Sequence, residues 1–287
     1  HLTARGVNVD AAQVLIVNGA QQGLAVTLMA LLRPGDVIAA DALTYSGFKV
    51  LAEALHLEVV AIPLGDHGPD LGALDKLCRS RSVRAVYSMP TLHNPLGRVL
   101  SLDQRQALVA IARQHNLMII EDAAYAFLAE HAPPPLATLA PERTVYVGGF
   151  SKSVATGLRV GFVSAPAAWV KALERSIMAT TWNVPGVMSA IAVAWLDDET
   201  LVPGRVYWAL HGHRWVKAKV KRIVHKLDIH TLAEEDATQL EPNAIGHIEL
   251  SLQEPLATLP FGRSRQLGSL VLVDTASHRT AGAVLVR

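Results

Sequence analysis

The sequence predicts an α/β protein: a mostly parallel, seven-stranded sheet with helices on both faces, followed by a small all-β barrel. Three observations carry this. From Val14 to about Pro166, short β-branched runs alternate with longer amphipathic ones, the pattern of strands joined by crossover helices. Near Pro203-Gly204 the helical period stops and alternating, strand-like patterns replace it. Of the 287 residues, 51% are hydrophobic and only 18% charged, so there is ample material for buried cores.

In order, strands are expected at Val14 to Val17, Val37 to Ala39, Glu58 to Ile62, Ala85 to Ser88, Leu117 to Ile120, Thr144 to Val147 and Val160 to Ser164. Helices are expected at Gln21 to Leu32, Phe48 to Ala54, Leu71 to Leu77 and Ser101 to His115. Arg33-Pro34-Gly35-Asp36 stops the first helix with the proline and glycine usual at such ends. In the second region, Trp215 to Lys221 alternates strictly, and Ile245 to Leu252, Ser269 to Asp274 and Ala281 to Val286 complete a strand set bounded by turn residues. The domain division expected from this texture is 1–203 and 204–287.

The net charge of +1 points to no nucleic-acid or membrane partner and favours small molecules. Cys78 is the sole cysteine, which excludes internal disulfides and metal sites built on cysteine pairs, and a reducing cytoplasm is expected. No apolar run reaches the roughly 18 residues of a membrane span, and the start lacks the regions of a signal peptide. A chain opening at His1 reads as a cut inside a longer protein.

Ligands of such sheets collect at the carboxyl ends of the strands. The segment Gly149 to Arg159 places Lys152 in a small-residue loop seven positions before Arg159. A lysine amine attacks an aldehyde only when deprotonated, and confinement beside other cations favours that form. Ser151, the loop amides and Arg159 offer an anion cradle; an ordinary surface loop is the plain alternative. Gly19-Ala20-Gln21-Gln22 opens a helix after a strand, where free amides hold phosphate. Asn94, in a Pro/Gly-rich loop after another strand, is placed either to reach a ring hydroxyl or merely to turn the chain. Asp122 ends a buried strand, where a carboxylate needs a cation such as a protonated pyridine, or else caps a helix. Tyr125 lies one turn further on, and Tyr45 either stacks on a ring or fills its loop.

These five loops, in order and spacing, resemble the fold-type I pyridoxal-phosphate aminotransferases of class I/II, most closely the aminotransferase-like domain of MocR-type transcriptional regulators. The resemblance covers roughly Arg5 to Asp198 and rests on Asn18-Gly19-Ala20-Gln21-Gln22-Gly23-Leu24, His93-Asn94-Pro95-Leu96-Gly97, Ile120-Glu121-Asp122-Ala123-Ala124-Tyr125 and Ser151-Lys152 to Gly161. It implies pyridoxal 5'-phosphate as cofactor, joined to Lys152 as a Schiff base, with Asp122 on the pyridine nitrogen and Asn94 and Tyr125 on the ring oxygen. Ala20, Gln21, Ser151 and Arg159 would bind phosphate, and Tyr45 would stack. Gly149 departs from the serine or threonine that many members carry three residues before the lysine, which removes one phosphate hydroxyl. The implied activity is amino-group transfer between an amino acid and a 2-oxo acid in a homodimer. The regulator likeness also implies a domain that senses cofactor or amino acid without turnover. The regulators' winged-helix domain, the N-terminal segment and the small C-terminal domain that supplies a substrate-binding arginine are expected to be missing, so no DNA binding by that route is expected.

Beyond Gly204, the segments Gly204 to Tyr207, Lys226 to Leu232, Asn243 to Gly246 and Gly268 to Asp274 resemble the C-terminal β-barrel of the GTPase subunit of sulfate adenylyltransferase, itself similar to the third domain of elongation factors. No Gly-x-x-x-x-Gly-Lys-Ser/Thr loop occurs, so no GTPase activity is expected. The join also admits an inactive chimera. Lys217, Lys219, Lys221 and Arg222 form a basic stripe, either a solvated strand face or a surface for nucleic acid or an acidic partner. His211, His213, His225 and His230 lack metal-like spacing and read as surface or turn residues.

Overall fold

The computed structural model describes residues 2–129, 131–153, 157, 159–196, 200–228, 231, 233–241, 244–276 and 280–287, without the side chains of residues 4 and 193–196. Val154, Ala155, Thr156 and Leu158 of the lysine loop lie outside the described residues, as do Ile229, His230, Leu232 and Asn243 of the barrel motifs. The chain divides into two compact units, His1–Val184 and Pro185–Arg287.

In the first unit the strands are β1 (Val14–Val17), β2 (Val37–Asp41), β3 (Glu58–Ile62), β4 (Val83–Ser88), β5 (Met118–Asp122), β6 (Thr144–Gly149) and β7 (Gly161–Ser164). The helices are α1 (Ala20–Leu31), α2 (Ser46–Ala54), α3 (Leu71–Ser80), α4 (Leu102–Gln114), α5 (Leu136–Leu139) and α6 (Ala167–Thr180). They begin where the sequence offers caps. Asp70 accepts from the Ala73 amide at 2.9 Å, and Ser101 with Gln104 forms a capping box. The strands form one seven-stranded sheet in the order β1-β7-β6-β5-β4-β2-β3. Pairing is parallel from β3 through β6, and β7 runs antiparallel to both β6 and β1.

Strand side chains alternate between faces, so each face has its own core. Tyr87, Ile120, Val145 and Val147 pack with Leu24, Leu28 and Phe48 of α1 and α2 and with Leu173 and Ile177 of α6. Val86, Ile119 and Ala39 pack on the other side with Leu74, Leu108, Val109, Ala112 and Leu136 of α3, α4 and α5. These central strands are buried on both faces, which is why they read as unbroken apolar runs.

Where α1 meets β6 and β7, backbone touches backbone. A Cβ at Gly161 would lie 2.7 Å from the Gly19 carbonyl carbon and 2.8 Å from the Gly148 oxygen. Only hydrogen fits there.

The second unit holds α7 (Gly186–Leu196), β8 (Val206–His211), β9 (Arg214–Leu227), β10 (Glu234–Glu235), β11 (Ile245–Leu252), β12 (Ser269–Asp274) and β13 (Thr280–Leu285). The division falls ahead of the 203/204 change in texture because α7 packs on β12 and β13. The six strands form an antiparallel sheet, β10-β9-β8-β12-β13, with β11 also on β9. Leu201, Tyr207, Ala209, Ala218, Val220, Leu240, Leu270, Leu272 and Ala281 make its core. Lys217, Lys219 and Lys221 project from one exposed face of β9. The Lys217 ammonium lies 5.5 Å from the Trp208 ring centroid, and Arg222 pairs with Glu249 at 2.5 Å. His213 sits in the β8–β9 turn as expected, but His211 is buried, its Nε2 lying 3.2 Å from the Leu267 carbonyl. A strand that alternates inward and outward turns His211 in beside Tyr207 and Ala209.

Gly161→Ala is expected to destabilise the first unit by about 2 kcal/mol or more, since neither backbone neighbour can yield to the methyl group. Gly186→Ala, where a Cβ meets open space, should cost nothing. Thermal unfolding of both variants checks the contrast.

Candidate functional site

The carboxyl ends of β1, β2, β4, β5 and β6 share one edge of the sheet, because β7 alone reverses direction. The first turn of α1 with Gln21, the end of β5 at Asp122 and the loops carrying Tyr45, Asn94, Tyr125 and Lys152 therefore lie at that edge, and Arg159 sits just before β7 enters it. Chain order alone scatters these residues from one end of the first unit to the other; topology gathers their loops.

At β1, Gly19 caps α1 with φ +85° and has no side chain to cover the first-turn amides. Those amides carry the positive end of the helix dipole. The Arg159 guanidinium lies above them: its Nη2 donates to the Asn18 carbonyl at 3.4 Å and would be 3.2 Å from a Cβ at Gly19. Arg159 itself adopts φ +50°, the left-handed region that a side chain enters only under constraint. A Cβ at Gly149 would stand 3.2 Å from the Ala20 amide nitrogen. Position 149 thus faces the same helix end. Ala20, Gln21 and Ser151 are half-buried around it. Gln21 also receives the Tyr45 hydroxyl at 2.9 Å and donates to the Gly47 carbonyl at 3.2 Å, which ties the Tyr45 loop to α1.

Asp122 ends β5 almost wholly buried. Its Oδ1 accepts from the Ala124 amide at 3.0 Å and its Oδ2 from the Tyr87 hydroxyl at 2.8 Å. Burial pushes the Asp122 carboxyl above its ordinary range, and the two hydrogen bonds oppose that rise. Tyr125 follows one turn later, with the Lys152 Nζ 6.0 Å from its ring centroid. Lys152 is exposed, so the confinement its loop suggested is not supplied by the described residues.

The loop holding Asn94 is fastened from beneath. His93 Nε2 meets Asp41 Oδ2 at 2.9 Å, both buried. Arg105, with no exposed surface, donates to the carbonyls of Leu100 at 3.0 Å, Pro90 at 2.9 Å and Pro134 at 3.3 Å, and to the Thr91 hydroxyl at 2.9 Å. Asn94 is half-buried above this web. Sequence reasoning missed Tyr87, His93, Asp41 and Arg105. Each reads as a packing or surface residue until the strand order is known, although a tyrosine inside the apolar run of β4 was a usable signal.

Glu121 points to the opposite face of the sheet from Asp122. It accepts from the Ala137 amide at 2.8 Å, and burial raises its carboxyl to about 7 despite the nearby Arg105 charge.

Fold and site together define an α/β protein that presents a helix-end anion cradle, a lysine and a buried carboxylate along one sheet edge. The family model "Aminotransferase class I and II" matches residues 1–237, and the chain belongs to that family. A second model, "GTP-eEF1A C-terminal domain-like", matches residues 189–287. Among curated relatives, the uncharacterised HTH-type transcriptional regulator YdeF of Bacillus subtilis is 28% identical over 77% of this chain and 47% of its own. The bifunctional enzyme CysN/CysC of Xylella fastidiosa is 40% identical over 109 residues, 37% of this chain and 18% of that enzyme. LysN, the alpha-aminoadipate aminotransferase of Thermus thermophilus, solved with N-(5'-phosphopyridoxyl)-L-leucine, superposes with a TM-score of 0.60 at 29% identity, over 64% of this chain and 49% of LysN. The chain spans about half the length of the regulators it matches.

The family depends on pyridoxal 5'-phosphate. The donor set fits that group: uncovered helix amides and a guanidinium suit its phosphate, and a buried carboxylate with spare lone pairs suits its ring nitrogen.

The raised Glu121 carboxyl favours its protonated form in the folded state, against an ordinary value of 4.5. The resulting stabilisation is complete below that value and is lost as pH rises through about 7. The stability of Glu121→Gln relative to the parent protein is therefore expected to increase by about 3 kcal/mol between pH 4 and pH 8, measured by urea unfolding.

Proposed function

We propose that the first unit binds pyridoxal 5'-phosphate through Lys152 and carries out amino-group transfer between an amino acid and a 2-oxo acid. The reading is supported above all by the placement of Lys152 beside Tyr125, on the sheet edge that also carries Asp122 and the Arg159-covered end of α1. When bound, the cofactor supplies an aldehyde on an electron-accepting ring, which stabilises negative charge at a substrate carbon.

Each residue then has a task set by its own chemistry. Arg159, Ser151 and the amides of Ala20 and Gln21 hold the phosphate. Asp122, as a carboxylate, keeps a proton on the ring nitrogen. Asn94 and Tyr125 donate to the ring oxygen, and Tyr45, held by Gln21, covers a ring face. The Lys152 amine would hold the aldehyde carbon and, when free, would take up and return a substrate's α-proton.

A second reading is supported by the regulator relatives: a domain that binds the cofactor, or its adduct with an amino acid, without turnover.

Pyridoxal phosphate added to the protein is expected to give visible absorbance and, after borohydride, a mass increase confined to the peptide holding Lys152. Lys152→Ala should lose both signals. A folded parent protein that gains neither rejects both readings. Oxo-acid formation from an amino donor that disappears in Lys152→Ala selects transfer over sensing. Arg159→Ala is expected to weaken pyridoxal phosphate about tenfold or more while leaving pyridoxal unaffected, as titration of the absorbance will measure.

A further inference from the structure

The buried hydroxyl of Tyr87 is not explained by packing. A phenylalanine would fill the same place in the core, since Tyr87 is 1% exposed and stacks on Phe48 with ring centroids 3.8 Å apart and planes at 10°. The hydroxyl makes one contact given by the structure, to Asp122 Oδ2 at 2.8 Å. Register accounts for the meeting. Tyr87 lies directly opposite Ile120 across the parallel β4–β5 pair, and Asp122, two residues beyond Ile120, projects from the same face.

We propose that Tyr87 is a positioning residue for the cofactor: its hydroxyl holds Asp122 ionised and aimed, so that Asp122 keeps the pyridine nitrogen protonated. This inference rests on the reading of Asp122 given above.

The chemistry supports it in three ways. A carboxylate oxygen has two acceptor sites, so Oδ2 accepts the Tyr87 hydrogen bond and retains a site for a ring N–H, as does Oδ1 beside the Ala124 amide. Hydrogen bonds to a carboxylate favour its charged form, against a burial that disfavours it. The donor is also a permanent one. Burial and the adjoining Asp122 charge push the Tyr87 hydroxyl well above its ordinary value, so it remains protonated at neutral pH. An imidazole in that place would titrate near neutrality and pass its own charge change to the carboxylate.

The test is solid-state 15N NMR of the protein loaded with ring-15N pyridoxal phosphate, in parent, Tyr87→Phe, Asp122→Asn and the double variant, with near-UV circular dichroism as the check on folding. Tyr87→Phe keeps the ring and its stack on Phe48. The parent is expected to show a protonated ring nitrogen. Tyr87→Phe should move the signal toward the unprotonated form by about tenfold in the proton-sharing ratio, the size set by one hydrogen bond to a charged group. In the Asp122→Asn background the same substitution should change nothing, because Tyr87 acts only through Asp122. A folded Tyr87→Phe with an unchanged nitrogen signal overturns the inference while leaving the cofactor reading intact. An unprotonated nitrogen in the parent overturns it without recourse to any variant. A parent that takes up no cofactor rejects the underlying reading and this inference with it.

Discussion

Three stretches of backbone in the first unit approach one another with no side chain between them: the start of α1 at Gly19, the end of β6 at Gly148 and the entry to β7 at Gly161. The rest of the site depends on this contact. Because β7 lies between β1 and β6, the helix end and the lysine loop leave the sheet one strand apart. Arg159, next to the same junction, is forced into a left-handed conformation that carries its guanidinium over the helix end. The placement of Arg159 over the helix end is therefore a property of the sheet and not of any loop that could fold independently.

The second organising element is the treatment of charge inside the fold. Glu121 and Asp122 are consecutive and both buried, yet strand alternation sends them to opposite faces. Each meets a different environment. Glu121 faces α5 and the Arg105 charge with the backbone amides of Leu136 and Ala137 as donors and drifts toward neutrality; Asp122 faces the candidate site with a phenol and a backbone amide as donors. Adjacent carboxylates in one strand thus meet different donors, although burial raises both.

Much of the first unit was legible in the sequence. β1 and β3 lie where the β-branched runs placed them, and the other strands of that unit differ by one or two residues at an end, where fraying and caps blur any pattern. In the second region β8 escaped notice because Tyr207, Trp208 and Ala209 break the polar alternation that marks a half-exposed strand. The site was legible to the extent that its residues stand at strand ends or in the loops that follow them, as Asp122 at the end of β5, Lys152 after β6 and Asn94 after β4 do. Tyr87 was not. Its partner is 35 positions away, and only the adjacency of β4 and β5 with their register brings the two together, neither of which local sequence encodes. Arg105 was hidden for a related reason: in a helix it resembles any surface arginine, and its carbonyl partners belong to loops whose course depends on the completed sheet.

Arg105 has a further consequence for how a ligand reaches the edge. Two of its partners, the carbonyls of Pro90 and Leu100, are buried with it, so lifting the Asn94 loop strips a buried cation of its coordination. That loop acts as a wall and not a door. The ordering entropy of this loop is met when the chain folds, before anything else reaches that edge of the sheet.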